Sequence, residues 1–171
     1  MAGSGGGISS ILDKFSTFTG RAASWLTLAR VVGTFIIVVL RYVFDTGLIW
    51  MQESVTWMHA VVFMLGAAYT LQAEEHVRVD IFYREMSKQR KAWINLLGVV
   101  FFLWPVCVFF IAESADYVAA SWRSGEVSRD AGGLPYPFVP LLKSVLLLMP
   151  FTLILQGLSM AVRSINQIRR G

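Results

Sequence analysis

The sequence predicts an all-α membrane protein: four transmembrane helices, short interfacial amphipathic helices beside them, and both termini in the cytoplasm. Three observations predict it. First, 56% of the 171 residues are hydrophobic and only 15% are charged, against roughly 45–50% and about 25% in soluble domains. Second, the apolar residues gather into four runs, each long enough to cross a hydrocarbon core of roughly 30 Å. Third, the lysines and arginines flank those runs instead of forming one patch. The net charge of +4 therefore reads as topogenic charge and not as a nucleic-acid footprint.

The chain divides into a flexible N-terminus with an interfacial helix (1–21), a four-span membrane domain (22–163) and a basic cytoplasmic tail (164–171). Met1 to Gly7 is glycine- and serine-rich and predicts disorder. It also predicts no cleavable signal peptide, because it is uncharged and the first apolar run begins late and runs long. Ile8, Ile11, Leu12, Phe15 and Phe18 recur at helical spacing and suit an interfacial helix that can run on into the first span.

The first span covers about 22–44 and holds Arg30 and Arg41. The residues between them make only about 15 Å of helix. Two readings are open: each arginine snorkels to its own face, or one pairs with a carboxylate on a neighbouring helix. The second span, about 53–72, opens on Glu53 and Trp57 and carries the small residues Gly66, Ala67 and Ala68. It exits through the charged segment Glu74 to Asp80. Ile81 to Lys91 then reads as a surface helix. The third span, about 93–115 with a possible extension to Trp122, has Pro105 in its middle, which predicts a kink. The glycine- and proline-rich segment from Arg123 to Pro140 cannot span. The fourth span, about 141–162, contains Pro150 and a buried polar residue, Gln156.

Orientation follows from the basic residues. One side collects Lys14, Arg21, Arg78, Arg84, Lys88, Arg90, Lys91, Arg163, Arg169 and Arg170; the other has Arg41, Arg123, Arg129 and Lys143. The excess places both termini and the Glu74–Asp80 segment inside.

Little catalytic chemistry is on offer. The histidines are His59 and His76, about 25 Å apart and at opposite membrane faces if on one helix, which excludes a bis-histidine haem within the chain. The single cysteine, Cys107, excludes an internal disulfide and a cysteine-built metal site. There is no phosphate loop. The reading is a non-enzyme without catalytic residues, cofactor or metal. No Asp or Glu is expected at the bilayer midplane, where a proton-coupled pump needs one. The chain thus lacks the parts of a complete transporter.

Several ordered features converge on one resemblance. Four spans, Glu53 and Trp57 opening the second, Gly66 and Ala67 within it, and HVRVD at His76 to Asp80 resemble the small membrane subunit of tripartite ATP-independent periplasmic (TRAP) transporters, the DctQ type. The stretch from Glu126 to Pro137, with Gly132, Gly133 and Pro135, and a later Leu155-Gln156-Gly157 are similar to that family too. The resemblance covers about 22–163. It implies a sodium-driven system of the bacterial inner membrane that imports organic acids delivered by a periplasmic binding protein. A large elevator-type permease subunit would hold the substrate and sodium sites, and the small subunit would pair with it and anchor its scaffold. His76, Arg78 and Asp80 would then fix a cytoplasmic turn, or dock it on the partner. Glu53 and Trp57 would cap and anchor the second helix, or contact the large subunit. Gly132, Gly133 and Pro135 would shape the periplasmic loop.

Two other functions fit a small four-span chain. One is a self-assembling multidrug-type transporter, which needs a membrane-embedded carboxylate; Glu53 and Glu113 are the possible ones. The other is an assembly or anchoring protein without a transport role. A charge pair is also expected near the outer face, Arg41 with Glu113 or with Glu53, because like-directed first and third spans place these groups at similar depth.

Overall fold

The computed structural model describes residues 7–72 and 86–170. Over these residues the chain forms four long helices: α1 (Gly7–Val43), α2 (Ile49–Gln72), α3 (Lys88–Ser124) and α4 (Phe138–Arg170). Each carries a stretch long and apolar enough to cross a membrane. Over the described residues the structure is all-helical, with four long apolar helices able to span a membrane. Every helix runs beyond the span expected from hydropathy. At 1.5 Å per residue, α3 and α4 measure about 50 Å or more and outreach a hydrocarbon core of roughly 30 Å.

The interfacial helix expected over Ile8 to Gly20 is not a separate element; it continues without a break into the first span. Most of the surface helix expected over Ile81 to Lys91 lies outside the described residues, as do His76, Arg78 and Asp80. Its described end belongs to α3. Ser87 is the N-cap, its hydroxyl accepting from the Arg90 N–H at 3.4 Å, and Lys88 to Lys91 form the first turn.

At Pro105 the helix changes its turn. Residues Val99–Leu103 form a π-helical segment, and the Trp104 N–H reaches back five residues to the Val99 carbonyl. Proline has no N–H to donate, and a wider turn just before it absorbs the lost register. The helix ends at Gly125, left-handed at φ 59° and ψ 42°. The Gly125 N–H donates to the Trp122 carbonyl, and the Glu126 N–H donates 3.1 Å to the Ser121 carbonyl. This is the Schellman pattern, which glycine permits without a Cβ penalty.

The last helix is the hub. α4 packs against α1, α2 and both halves of α3, and α1 packs against α2, but α1 does not pack along α3. α4 also has the largest buried share of any apolar stretch. Its inward seam reads Val145, Thr152, Gln156 and Ser159, all buried, with Gln156 at 1% exposure. The spacing of seven, four and three residues is that of a left-handed helix seam. Small residues at such seams let backbones approach closely. A Cβ on Gly157 would stand 2.8 Å from Leu103 Cδ2 and 3.0 Å from Trp104 Nε1. α1 and α2 meet similarly at Gly20, where a Cβ would stand 2.5 Å from the Tyr69 ring. The outer surface is apolar: Trp25, Phe63 and Phe102 are each at least 70% exposed, as a lipid-facing wall requires.

Candidate functional site

Among the described residues, and besides the buried α4 seam, polar side chains meet in the loop between α3 and α4 and in the middle of the α1–α2 seam. The loop is closed by the start of α2. The Glu53 carboxylate accepts the Leu134 N–H at 2.6 Å through Oε2 and the Ser128 hydroxyl through Oε1. One turn on, Trp57 Nε1–H donates 3.3 Å to the Phe138 carbonyl at the start of α4. Glu53 and Trp57 are four residues apart and share one helix face. Together they hold both ends of the segment 128–138.

Two glycines make this closure possible. Gly132 has φ 81°, a left-handed conformation that side chains resist. A Cβ on Gly133 would lie 2.8 Å from Glu53 Oε1 and 2.7 Å from Ser128 Cβ. The Pro135 carbonyl accepts the Phe138 N–H at 3.0 Å and starts α4. Gly132, Gly133 and Pro135 thus shape the loop.

A second set of bonds ties the loop's other end. The Glu126 carboxylate accepts from Lys143 Nζ at 2.5 Å and from the Ser121 hydroxyl at 2.6 Å. Lys143 Nζ also lies 4.0 Å from the centre of the Tyr117 ring, within cation–π range. Hydrogen bonding to the Lys143 ammonium, then to Ser121, holds the Glu126 carboxyl below its ordinary range. Trp122 Nε1–H donates 2.9 Å to the Ser144 hydroxyl and stacks edge-on with Tyr136.

The second place lies inside the membrane-spanning part. Arg30 Nη1 contacts His59 Nδ1 across the α1–α2 seam. An arginine N–H only donates, so Nδ1 accepts and the ring proton sits on Nε2. Arg30 therefore does not snorkel independently. His59 is not near a membrane face, because α2 begins at Ile49 and His59 falls midway along the span Ile49–Leu71.

Arg41 does not join either glutamate. Among the described residues no ion pair connects it to Glu113 or Glu53. Arg41 and Glu113 are exposed. They sit on α1 and α3, which do not pack together, and Glu53 is engaged by the loop. Gly66 is not a close-packing position within the chain, since a Cβ there meets nothing within 4 Å; Ala67 beside it is half-buried. The close approaches use Gly20, Gly33 and Gly157 instead.

Sequence reasoning missed the Glu126–Lys143 and Ser128–Glu53 links, which carry no fixed spacing. It also missed Arg30–His59, although one signal was present. That signal was Arg30 itself, a charge well inside the first span; its partner His59 reaches mid-span only once α2 starts at Ile49.

These features define a four-span membrane subunit whose loop is fastened by its own second helix. The chain matches the family model described as "Tripartite ATP-independent periplasmic transporters, DctQ component" over residues 30–169. The chain belongs to this family: it is the small membrane subunit of a TRAP transporter, a transport component and not an enzyme. Comparison with curated proteins and with solved structures finds no match.

Proposed function

We propose that this subunit enlarges and anchors the scaffold of a large elevator-type permease subunit in the bacterial inner membrane, with both its termini cytoplasmic. The assembled system imports organic acids with a sodium gradient, and a periplasmic binding protein delivers the substrate. The sodium and substrate sites lie in the large subunit, so this chain needs no cofactor of its own. The observation that carries the reading is the family match across 30–169, which covers the end of α1, all of α2 and α3, and nearly all of α4. The site geometry supports it. Glu53, Trp57, Glu126 and Lys143 bind partners within the chain, which suits a rigid support and not a substrate pocket. The outward apolar walls of α1 and α3 offer surface to a partner's helices.

Affinity-tagged small subunit, expressed with the large permease and the binding protein, tests the pairing. The large subunit is expected to co-purify in near one-to-one amount from mild detergent. Recovery of the small subunit as a self-associated oligomer that leaves the large one behind would contradict it and favour the self-assembling transporter.

A further inference from the structure

The Arg30–His59 pair opens on a groove of about 650 Å³ between α1 and α2, walled by Val31, Thr34, Phe35 and Thr56. Arg30 stands ten residues from Gly20 and thirteen from Val43, the ends of its span, or about 15 and 20 Å along the helix. His59 stands ten from Ile49 and twelve from Leu71, about 15 and 18 Å. Both therefore lie near the bilayer midplane. Each is accessible from outside, His59 exposed and Arg30 half-buried. The surrounding wall is apolar, with Phe35 67% exposed.

A guanidinium has five N–H donors and no acceptor. His59 takes one. The nearby hydroxyls donate to backbone carbonyls, Thr34 Oγ1 to Arg30 at 2.9 Å and Thr56 Oγ1 to Gln52 at 3.2 Å, and a hydroxyl oxygen carries no charge to balance a guanidinium. Among the described residues no carboxylate forms an ion pair with Arg30. An ionised group left facing hydrocarbon is costly, and an oppositely charged partner offsets part of that cost.

We infer that this groove receives a transmembrane helix of the large permease subunit whose side chain carries a carboxylate, bound by Arg30 with His59 holding the guanidinium in place. The inference rests on the pairing proposed above. A lipid phosphate is the wrong occupant, since head groups lie farther from mid-span than an arginine side chain extends. A second copy of this chain would bring two guanidinium groups together, where like charge repels. His59 Nε2–H adds a donor beside Arg30, which also suits an anionic acceptor.

The test places a photocrosslinking phenylalanine analogue at Val31 or Thr56, in cells making all three components, with Arg30 left intact. The expected product joins this chain to a large-subunit span having an Asp or Glu within one helical turn of the crosslink. Products with lipid alone, with a second copy, or with a span lacking such a carboxylate would overturn the inference. Large-subunit products from a probe at Gly66 but none from the groove would overturn it while leaving the pairing intact. No large-subunit product from any position would overturn both. A second arm measures co-purified large subunit. Arg30→Met is expected to lower it by about tenfold or more, and neutralising the crosslinked carboxylate in the same strain to restore most of it, because one lone buried charge is worse than none. Equal losses in the single and double variants would overturn the pairing of charges.

Discussion

Glu53 and Leu134 stand 81 positions apart in the chain, yet the Leu134 N–H donates 2.6 Å to Glu53 Oε2. The bond joins the start of α2 to the loop before α4. Trp57, one turn further along α2, repeats the link at the Phe138 carbonyl. The glutamate and tryptophan at the head of the second helix and the glycine-glycine-leucine-proline stretch of the loop are therefore one device. A carboxylate accepting a backbone N–H is among the stronger hydrogen bonds in proteins. The missing Cβ of Gly133 gives it room.

Glu53→Ala is expected to release the loop. The Leu134 N–H and the Ser128 hydroxyl lose their acceptor, at a cost of about 1.5–3 kcal/mol for bonds to a charged group. Hydrogen exchange at the Leu134 amide checks this. It should quicken markedly in Glu53→Ala and less in Glu53→Gln, which keeps one acceptor oxygen. Unchanged exchange in the alanine variant would remove the clasp from the account.

Gly157→Ala and Gly66→Ala are expected to differ. The added methyl at Gly157 meets Leu103 and the rigid Trp104 ring at 3.0 Å or less, and overpacking of this kind costs about 1–3 kcal/mol. At Gly66 it meets nothing within 4 Å, and alanine favours helix over glycine by about 1 kcal/mol. Thermal unfolding of the isolated subunit in detergent should show Gly157→Ala less stable and Gly66→Ala at least as stable as the parent. Gly66→Leu should harm only co-purification with the large subunit. Loss of stability in isolated Gly66→Ala would place that glycine inside the chain's own packing.

The Glu126–Lys143 link is expected to weaken in acid. The Glu126 carboxyl sits below its ordinary value of 4.5 in the folded chain. A depressed carboxyl contributes stability that is fully present above the unfolded value and is lost as pH falls through the folded one. Loop protection should therefore hold from neutral pH down to about 4.5 and decline below it. Glu126→Gln should remove that decline. An acid dependence identical in the variant would assign it to other groups.

The four helices were legible because a span's hydropathy is a local property. Their ends were less so. Ile49 to Gln52 lacks the uninterrupted apolar run of a span, but it makes the first turn of α2, which moves His59 to mid-span. Pro105 announced a disturbance, and the π-turn at Val99–Leu103 is the form it took. The packing order was not legible, since all four helices are apolar on most sides. That α4 is the hub depends on the buried seam through Thr152, Gln156 and Ser159, of which only Gln156 stood out in sequence. Arg41 and Glu113 were matched by depth alone. Depth does not make neighbours of α1 and α3, because α4 and not α1 lines α3.

Membrane-impermeant thiol labelling is expected to place the clasped loop outside the cell. Ala131→Cys suits the test, since Ala131 is exposed and takes no part in the bonds to Glu53. Cys107 is buried and should stay silent. Ala131→Cys should label in intact cells and Gln89→Cys only after permeabilisation. The reverse pattern would invert the topology and exchange the faces of both loops.

Sodium-driven uptake in proteoliposomes tests whether this chain supports transport by the large permease. Vesicles holding this chain and the large permease, with binding protein and a labelled organic acid outside, should accumulate substrate when an inward sodium gradient is imposed. Vesicles holding this chain alone should accumulate none, and those with the large permease alone little. Uptake by this chain without its partners would contradict a supporting role, and full uptake by the large permease alone would show that the scaffold does not need it.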